Sequence, residues 1–227
     1  MILWLPLFLL VIGISLILAY RSMKDYQETP QKASVDYSLF LIRQVKIFNA
    51  KILDTICQEV FAEGEIVSLE RLFRGHQTAL TIFGPKSILN KFQNELNLLE
   101  LEDYTGEFTD SKIYVWEVGA KKTTKLNLDH FSNFFRNLPK LKSDEHFYWQ
   151  LLLSRDQIQI RAAVSSNDPI RKKLLHSVQD LNTGGLVKIP NPFSNEQMIK
   201  FYKTRSVNKN DFGPILDSKE IISLLKV

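Results

Sequence analysis

Residues 1–20 form an almost unbroken apolar run, which only Pro6, Gly13 and Ser15 interrupt. A helix of this length spans about 30 Å, the thickness of the hydrocarbon core of a bilayer. No basic residue precedes the run and no good cleavage site follows it, which favours an uncleaved anchor over a secretory signal peptide. The sequence therefore predicts a transmembrane helix over residues 1–20.

The residues that flank this run predict its orientation. Trp4 and Tyr20 stand near its two ends, where aromatic residues meet the membrane–water interface, and Arg21 and Lys24 follow it. The excess of positive charge after the run places the amino terminus outside and the rest of the chain in the cytoplasm. We therefore expect a single-pass protein of the cell membrane, with the lipid bilayer as its partner through residues 1–20.

The chain after the run begins with a polar stretch, residues 21–34, which predicts a flexible linker. From residue 35 to 107 the hydrophobic period then alternates between that of strands and that of helices, in the order βαββαβ. The expected strands are Ser38–Val45, Ile66–Phe73, Thr78–Phe83 and Glu100–Tyr104, and the expected helices are Asn49–Phe61 and Lys86–Leu98.

The same order recurs over residues 108–190. Its expected strands are Lys112–Val118, His146–Leu153, Gln157–Ser165 and Leu186–Ile189, and its helices are Asn127–Leu138 and a segment from Asp168 to about Leu181. Two such units predict an α+β protein with tandem split-βαβ (ferredoxin-like) units and antiparallel sheets. Residues 191–227 are expected to form a short helical tail.

Composition narrows the function classes only a little. The chain has 29 Lys and Arg against 25 Asp and Glu, and this weak excess does not by itself indicate nucleic acid as a partner. A hydrophobic content of 44% excludes a disordered chain. The single cysteine, Cys57, excludes a disulfide framework within the chain and suits a reducing compartment.

Signatures of catalysis are missing from the sequence. The segment Gly84-Pro85-Lys86-Ser87 resembles the end of a phosphate-binding loop, but Pro85 separates the glycine from the lysine and removes a backbone donor. Consecutive histidines are at least sixteen residues apart, and no nucleophile or zinc motif occurs. We expect no enzymatic activity, cofactor or metal, although a site assembled only by the fold stays an alternative.

Two charged segments are candidates for contacts. Residues 95–110 hold six carboxylates and no Lys or Arg, which indicates an exposed strand edge or a docking surface. Near the carboxyl end, Lys200, Lys203, Arg205 and Lys209 form a basic cluster that could contact nucleic acid or lipid headgroups. A membrane-tethered nucleic-acid-binding module is therefore an alternative function.

Four segments resemble a known protein family. LNKFQNELNLLELEDYT (Leu89–Thr105), EHFYWQLLLS (Glu145–Ser154), IQIRAAV (Ile158–Val164) and ILDSKEIISLLKV (Ile215–Val227) are similar to the non-catalytic N-terminal region of conjugation and type IV secretion (FtsK/HerA-like) ATPases. In that family a P-loop ATPase core follows this region, whereas this sequence carries no Walker lysine. The resemblance implies either an accessory domain that works with a separately encoded ATPase or an N-terminal fragment of a larger one.

These observations together predict a membrane-anchored, cytoplasmic, non-enzymatic domain. It would mediate protein–protein contacts in a conjugation or secretion machine, with a P-loop ATPase as its protein partner.

Overall fold

The computed structural model describes residues 35–109, 112–119, 140–169, 171, 186–189, 192–207 and 216–225, together with Ser15. Its strands are β1 (Tyr37–Ile42), β2 (Val67–Arg74), β3 (Gln77–Pro85), β4 (Leu98–Leu101), β5 (Ile113–Gly119), β6 (His146–Leu153), β7 (Ile158–Ser165) and β8 (Val187–Lys188). Within the described residues they form one eight-stranded sheet in the order β4-β1-β3-β2-β6-β7-β5-β8. Every neighbouring pair is antiparallel.

The prediction of two units with separate sheets is wrong, because β2 and β6 join both halves into this single sheet. The two strands pair along their whole length, from Val67 opposite Leu153 to Arg74 opposite His146. Read from its outer edge inward, each half has the same strand order: β4-β1-β3-β2 in one and β8-β5-β7-β6 in the other. Hydrophobic periodicity specifies the two faces of a strand but not the neighbour at its edge, so this junction was not visible in the sequence.

The predicted membrane span also requires correction. Residues 1–20 and the linker at 21–34 lie outside the described residues, apart from Ser15. Among the helices that the structure describes, none is long and apolar enough to cross a membrane. The longest of them has 13 residues and is therefore about 20 Å long, against the ~30 Å of a hydrocarbon core. On this finding we do not retain the transmembrane helix or the single-pass localisation at the cell membrane.

The first helix, α1 (Ala50–Ala62), lies where the sequence predicted it. The Asn49 side chain caps its amino end by accepting a hydrogen bond from the Ile52 backbone N–H at 3.2 Å. Two residues after the end of the helix, Gly64 adopts a φ of +75°, which a glycine allows at little cost and which ends the helix. The buried residues of α1 are Ile52, Leu53, Ile56 and Val60, and they join the larger hydrophobic core on one face of the sheet.

The second predicted helix, Lys86–Leu98, is divided into shorter pieces. Helix α2 (Lys86–Leu89) is followed by a 3-10 turn (Asn90–Phe92) and by α3 (Gln93–Leu96). Asn97 then takes a left-handed conformation, with φ of 48°, and the chain enters β4 at Leu98. The predicted helices at 127–138 and from 168 to 181 fall almost entirely outside the described residues.

Two carboxyl-terminal helices cover opposite faces of the sheet. Helix α4 (Asn195–Thr204) begins with a capping box formed by Ser194 and Gln197 and contributes to a smaller core that includes Tyr148. Helix α5 (Ser218–Leu225) belongs to the larger core and packs against α1. Both lie within residues 191–227, where the sequence predicted a helical tail.

Candidate functional site

A row of polar side chains crosses the centre of the sheet on the face covered by α4. Its members stand opposite one another in the strand register, one on each of five adjacent strands. They are Thr81 on β3, Glu70 on β2, Gln150 on β6, Arg161 on β7 and Glu117 on β5. All five are buried. Buried polar groups are costly unless they are hydrogen-bonded, so the partners of this polar row determine its role.

The carboxylate of Glu70 is fully buried and accepts hydrogen bonds at both oxygens. Its Oε1 accepts from the Ser68 hydroxyl at 2.8 Å, from Gln150 Nε2 at 3.0 Å and from Arg205 Nε at 2.9 Å. Its Oε2 accepts from the Tyr104 hydroxyl at 2.8 Å. A carboxylate that accepts hydrogen bonds from this many donors is held in one position.

Arg205 forms ion pairs with Glu70 and with a second carboxylate, that of Asp103. Its guanidinium donates from Nε to Glu70 and from Nη1 to Asp103, and only 1% of the side chain is exposed. Burial alone would lower the pKa of Arg205, but the charges of Glu70 and Asp103 outweigh it, so the pKa is raised. The guanidinium also lies 4.0 Å from the centroid of the Phe83 ring, a cation–π contact. Arg205 therefore fixes the end of α4 to the sheet.

Arg161, on strand β7, binds the same end of α4. Its Nη1 donates to the Phe201 carbonyl at 2.8 Å and its Nη2 to the Ser206 carbonyl at 2.6 Å. Burial lowers the pKa of Arg161 to about 10, which leaves it charged at neutral pH. Gln150 Nε2 donates to the Tyr202 carbonyl at 3.2 Å. Cationic and amide donors at the final carbonyls of a helix satisfy groups that the helix cannot satisfy itself.

An aromatic cluster closes one side of the polar row. The hydroxyls of Tyr104 and Tyr202 lie 3.0 Å apart, and burial is the main reason that the pKa of each is raised well above its usual value. The Tyr104 ring stacks on Tyr148, with centroids 5.1 Å apart, and Phe108 packs against both tyrosines. The phenols therefore stay protonated and act as hydrogen-bond donors.

The contacts of these groups indicate a structural role for the polar row. The ionisable groups at the centre of the row are buried, and Glu70, Arg161 and Arg205 each bind a fixed partner within the protein. Two polar atoms, Gln150 Oε1 and Arg161 Nε, have no hydrogen-bond partner within the described part of the chain. We infer that the row attaches α4 to the sheet.

The structure describes three residues of the predicted basic cluster and places them differently. Lys200 is exposed on α4 and Lys203 is partly exposed on the same helix, whereas the guanidinium of Arg205 is turned into the protein. Lys209 lies outside the described residues, as do the predicted membrane-interface residues Trp4, Tyr20, Arg21 and Lys24.

The polar row was not predicted from the sequence. Alternation in β2 (VSLERLFR) places Ser68 and Glu70 opposite its apolar positions, which reads as a solvent-facing side. The available signal was in β6 (HFYWQLLL), which is apolar on both faces and therefore buried. A lone Gln150 in such a strand indicates a buried polar group that needs partners.

Three other candidates from the sequence are the metal-ligating side chains, Cys57 and the segment that resembles a phosphate loop. Among the described residues, no three His, Cys, Asp or Glu side chains lie close enough to hold a metal ion. Cys57 is partly buried in the larger core, and burial raises the pKa of its thiol to about 12. At the segment that resembles a phosphate loop, β3 ends at Pro85 and Lys86 pairs with Glu100 at 2.7 Å.

Comparison with protein families and with curated proteins adds no relative. No known protein family matches the chain, and no curated protein is similar to it. The resemblance to conjugation-type ATPases is therefore carried only by the four segments quoted above.

Proposed function

We propose that the chain is a non-enzymatic domain that mediates protein–protein contacts as an accessory of a conjugation or secretion ATPase. The observation that carries this proposal is the polar row, in which Arg161 binds a carbonyl of α4 and Glu70 binds Arg205 at the end of that helix. Such an interior favours a rigid scaffold that presents its outer surface to a partner.

The partner class is inferred from the resembling segments. Two of them form β6 and β7 at the centre of the sheet, and a third contains α3 and β4 at its edge. In the resembling family this region precedes a P-loop ATPase core. A P-loop ATPase of that class is therefore the partner that the resemblance implies.

Cross-linking in intact cells tests the proposal. The full chain carries a C-terminal affinity tag, lysine-reactive cross-linker is added before lysis, and linked peptides are identified by mass spectrometry. We expect cross-links between exposed lysines of this chain, such as Lys91, and a protein with a P-loop. An excess of purified untagged chain should compete for the same links.

Cross-links that reproducibly exclude any P-loop protein would contradict the ATPase partner. Co-purification of nucleic acid that is lost on adding salt would favour the nucleic-acid-binding alternative.

A further inference from the structure

The outer edge of the sheet at β4 offers open backbone groups for a partner. Among the described residues β4 pairs only with β1, and it is the last strand on its side of the sheet. An unpaired edge presents N–H and C=O groups that can pair with another chain. We propose that β4 binds an extended segment of a partner protein in which basic and apolar residues alternate. This inference rests on the proposed function and specifies its contact site.

The direction of the backbone groups follows from the neighbouring ladder. Lys86 N donates to the Asp36 carbonyl at 2.8 Å, so the backbone of Asp36 faces β3. In an antiparallel sheet successive residues face opposite neighbours. Two positions of β1 at odd spacing from Asp36, Leu39 and Leu41, therefore face β4.

The open groups of β4 can then be assigned. Leu101 and Leu99 stand opposite Leu39 and Leu41, so their backbone groups bond inward to β1. Glu100 lies between them, and its N–H and C=O face outward. A bound strand would pair with this outward N–H and C=O.

Side chains at the edge specify the residue pattern of the occupant. Leu99 is 44% exposed and Leu101 is partly exposed, and both lie on one face of the sheet. Glu100 and Glu102 are exposed on the opposite face. Because side chains alternate along a strand, the occupant would present apolar residues beside the leucines and basic residues beside the glutamates.

Charge complementarity supports a basic occupant. No Lys or Arg occurs between Lys91 and Lys112, whereas Glu95 and Glu102, on either side of β4, are exposed. Lys86 pairs with Glu100, but Glu95 and Glu102 have no ion pair within the described part of the chain. The edge is therefore acidic and attracts positive charge.

The probe for this site is a fluorescent peptide of alternating lysine and valine, acetyl-KVKVKVK-amide, titrated against the full chain by anisotropy. A peptide of the same composition in blocks, acetyl-KKKKVVV-amide, is the control. We expect the alternating peptide to bind about tenfold more tightly, because only it can place both residue types correctly while its backbone pairs with β4.

Two substitutions at one position separate backbone pairing from charge. Glu100→Ala removes the carboxylate but keeps the outward N–H, and Glu100→Pro removes both, at an edge position where proline is tolerated. We expect Glu100→Ala to weaken binding by about threefold, and Glu100→Pro to weaken it by a further factor of about ten. Far-UV circular dichroism and the urea midpoint should show that both variants fold.

Several results would overturn the inference. Equal binding of the two peptides would indicate simple charge attraction, and equal affinity of the two variants would exclude backbone pairing. Absence of binding by the full chain at low salt would also reject the site. If ATPase cross-links persist in a folded Glu100→Pro variant, the proposed function stands and the contact lies elsewhere. If the peptide binds while no ATPase is found, the edge site stands without that partner.

Discussion

At the scale of single residues, Arg205 combines an unfavourable backbone with favourable side-chain contacts. Its φ of 50° lies in the left-handed region, which costs a non-glycine residue about 1 kcal/mol. The position would therefore favour glycine if only the backbone mattered. The buried ion pairs to Glu70 and Asp103 explain why an arginine is there.

Removal of one partner of this buried pair should be strongly destabilising. We expect Arg205→Met to lower the free energy of unfolding by about 3–5 kcal/mol, because the Glu70 charge is left buried without its counter-ion. Adding Glu70→Gln should restore part of the loss, so the two changes should be non-additive in urea denaturation. Lys219→Ala on the exposed side of α5 is the control, with an expected change within about 0.5 kcal/mol. Additive effects would show that the pair is not coupled.

A second residue-scale prediction concerns pH. Arg171 donates to both oxygens of Glu145, at 2.8 and 2.7 Å, and mainly for this reason the pKa of Glu145 is lowered from 4.5 to about 2. The Glu145 side chain is 1% exposed. A lowered folded-state pKa stabilises the protein above pH 4.5, and that stabilisation is lost as the pH falls towards 2. A shift of this size corresponds to roughly 3 kcal/mol.

Comparison of the protein with its Glu145→Gln variant separates the pH effect of Glu145 from that of the other carboxylates. The difference in unfolding free energy between the two proteins should be largest at pH 6 and should shrink steadily between pH 5 and pH 2. A difference that does not change with pH would show that Glu145 contributes by shape rather than by charge.

At the scale of elements, the sequence predicts the ranges of single strands well but does not predict which strands pair. Helix α1 and strands β2, β6 and β7 lie within a few residues of their predicted ranges, because each has a strong period or a clear stop such as Gly64. The break between α2 and α3 was missed because Ile88, Leu89, Phe92 and Leu96 keep helical spacing across the 3-10 turn. Side-chain period does not report a local change of hydrogen bonding.

The candidate site was less predictable than the elements, for a physical reason. Glu70 is in β2, Asp103 follows β4, and Arg205 follows α4, so their contacts join residues up to 135 positions apart. In the sequence alone, each of these residues would be interpreted as a charge on the surface. Only the strand register and the position of α4 bring the charges together, and neither follows from periodicity.

At the scale of the whole molecule, the β2–β6 junction should make both halves unfold together. Leu69 and Leu151 stand opposite each other across this junction, and both are fully buried in the larger core. The core also contains Phe40 from one half and Ile160 from the other, so opening one half would expose apolar surface of both. Two units with separate sheets would instead open independently.

Native-state hydrogen exchange on the full chain distinguishes these cases. We expect peptides from β3 and from β7 to share one opening free energy under increasing urea. Leu151→Ala should lower that free energy by about 2–5 kcal/mol in both peptides, because it leaves a cavity at the junction. Lys51→Ala, on the exposed side of α1, should change neither beyond about 0.5 kcal/mol. A loss confined to β7 would show that the halves behave as separate folding units despite their common sheet.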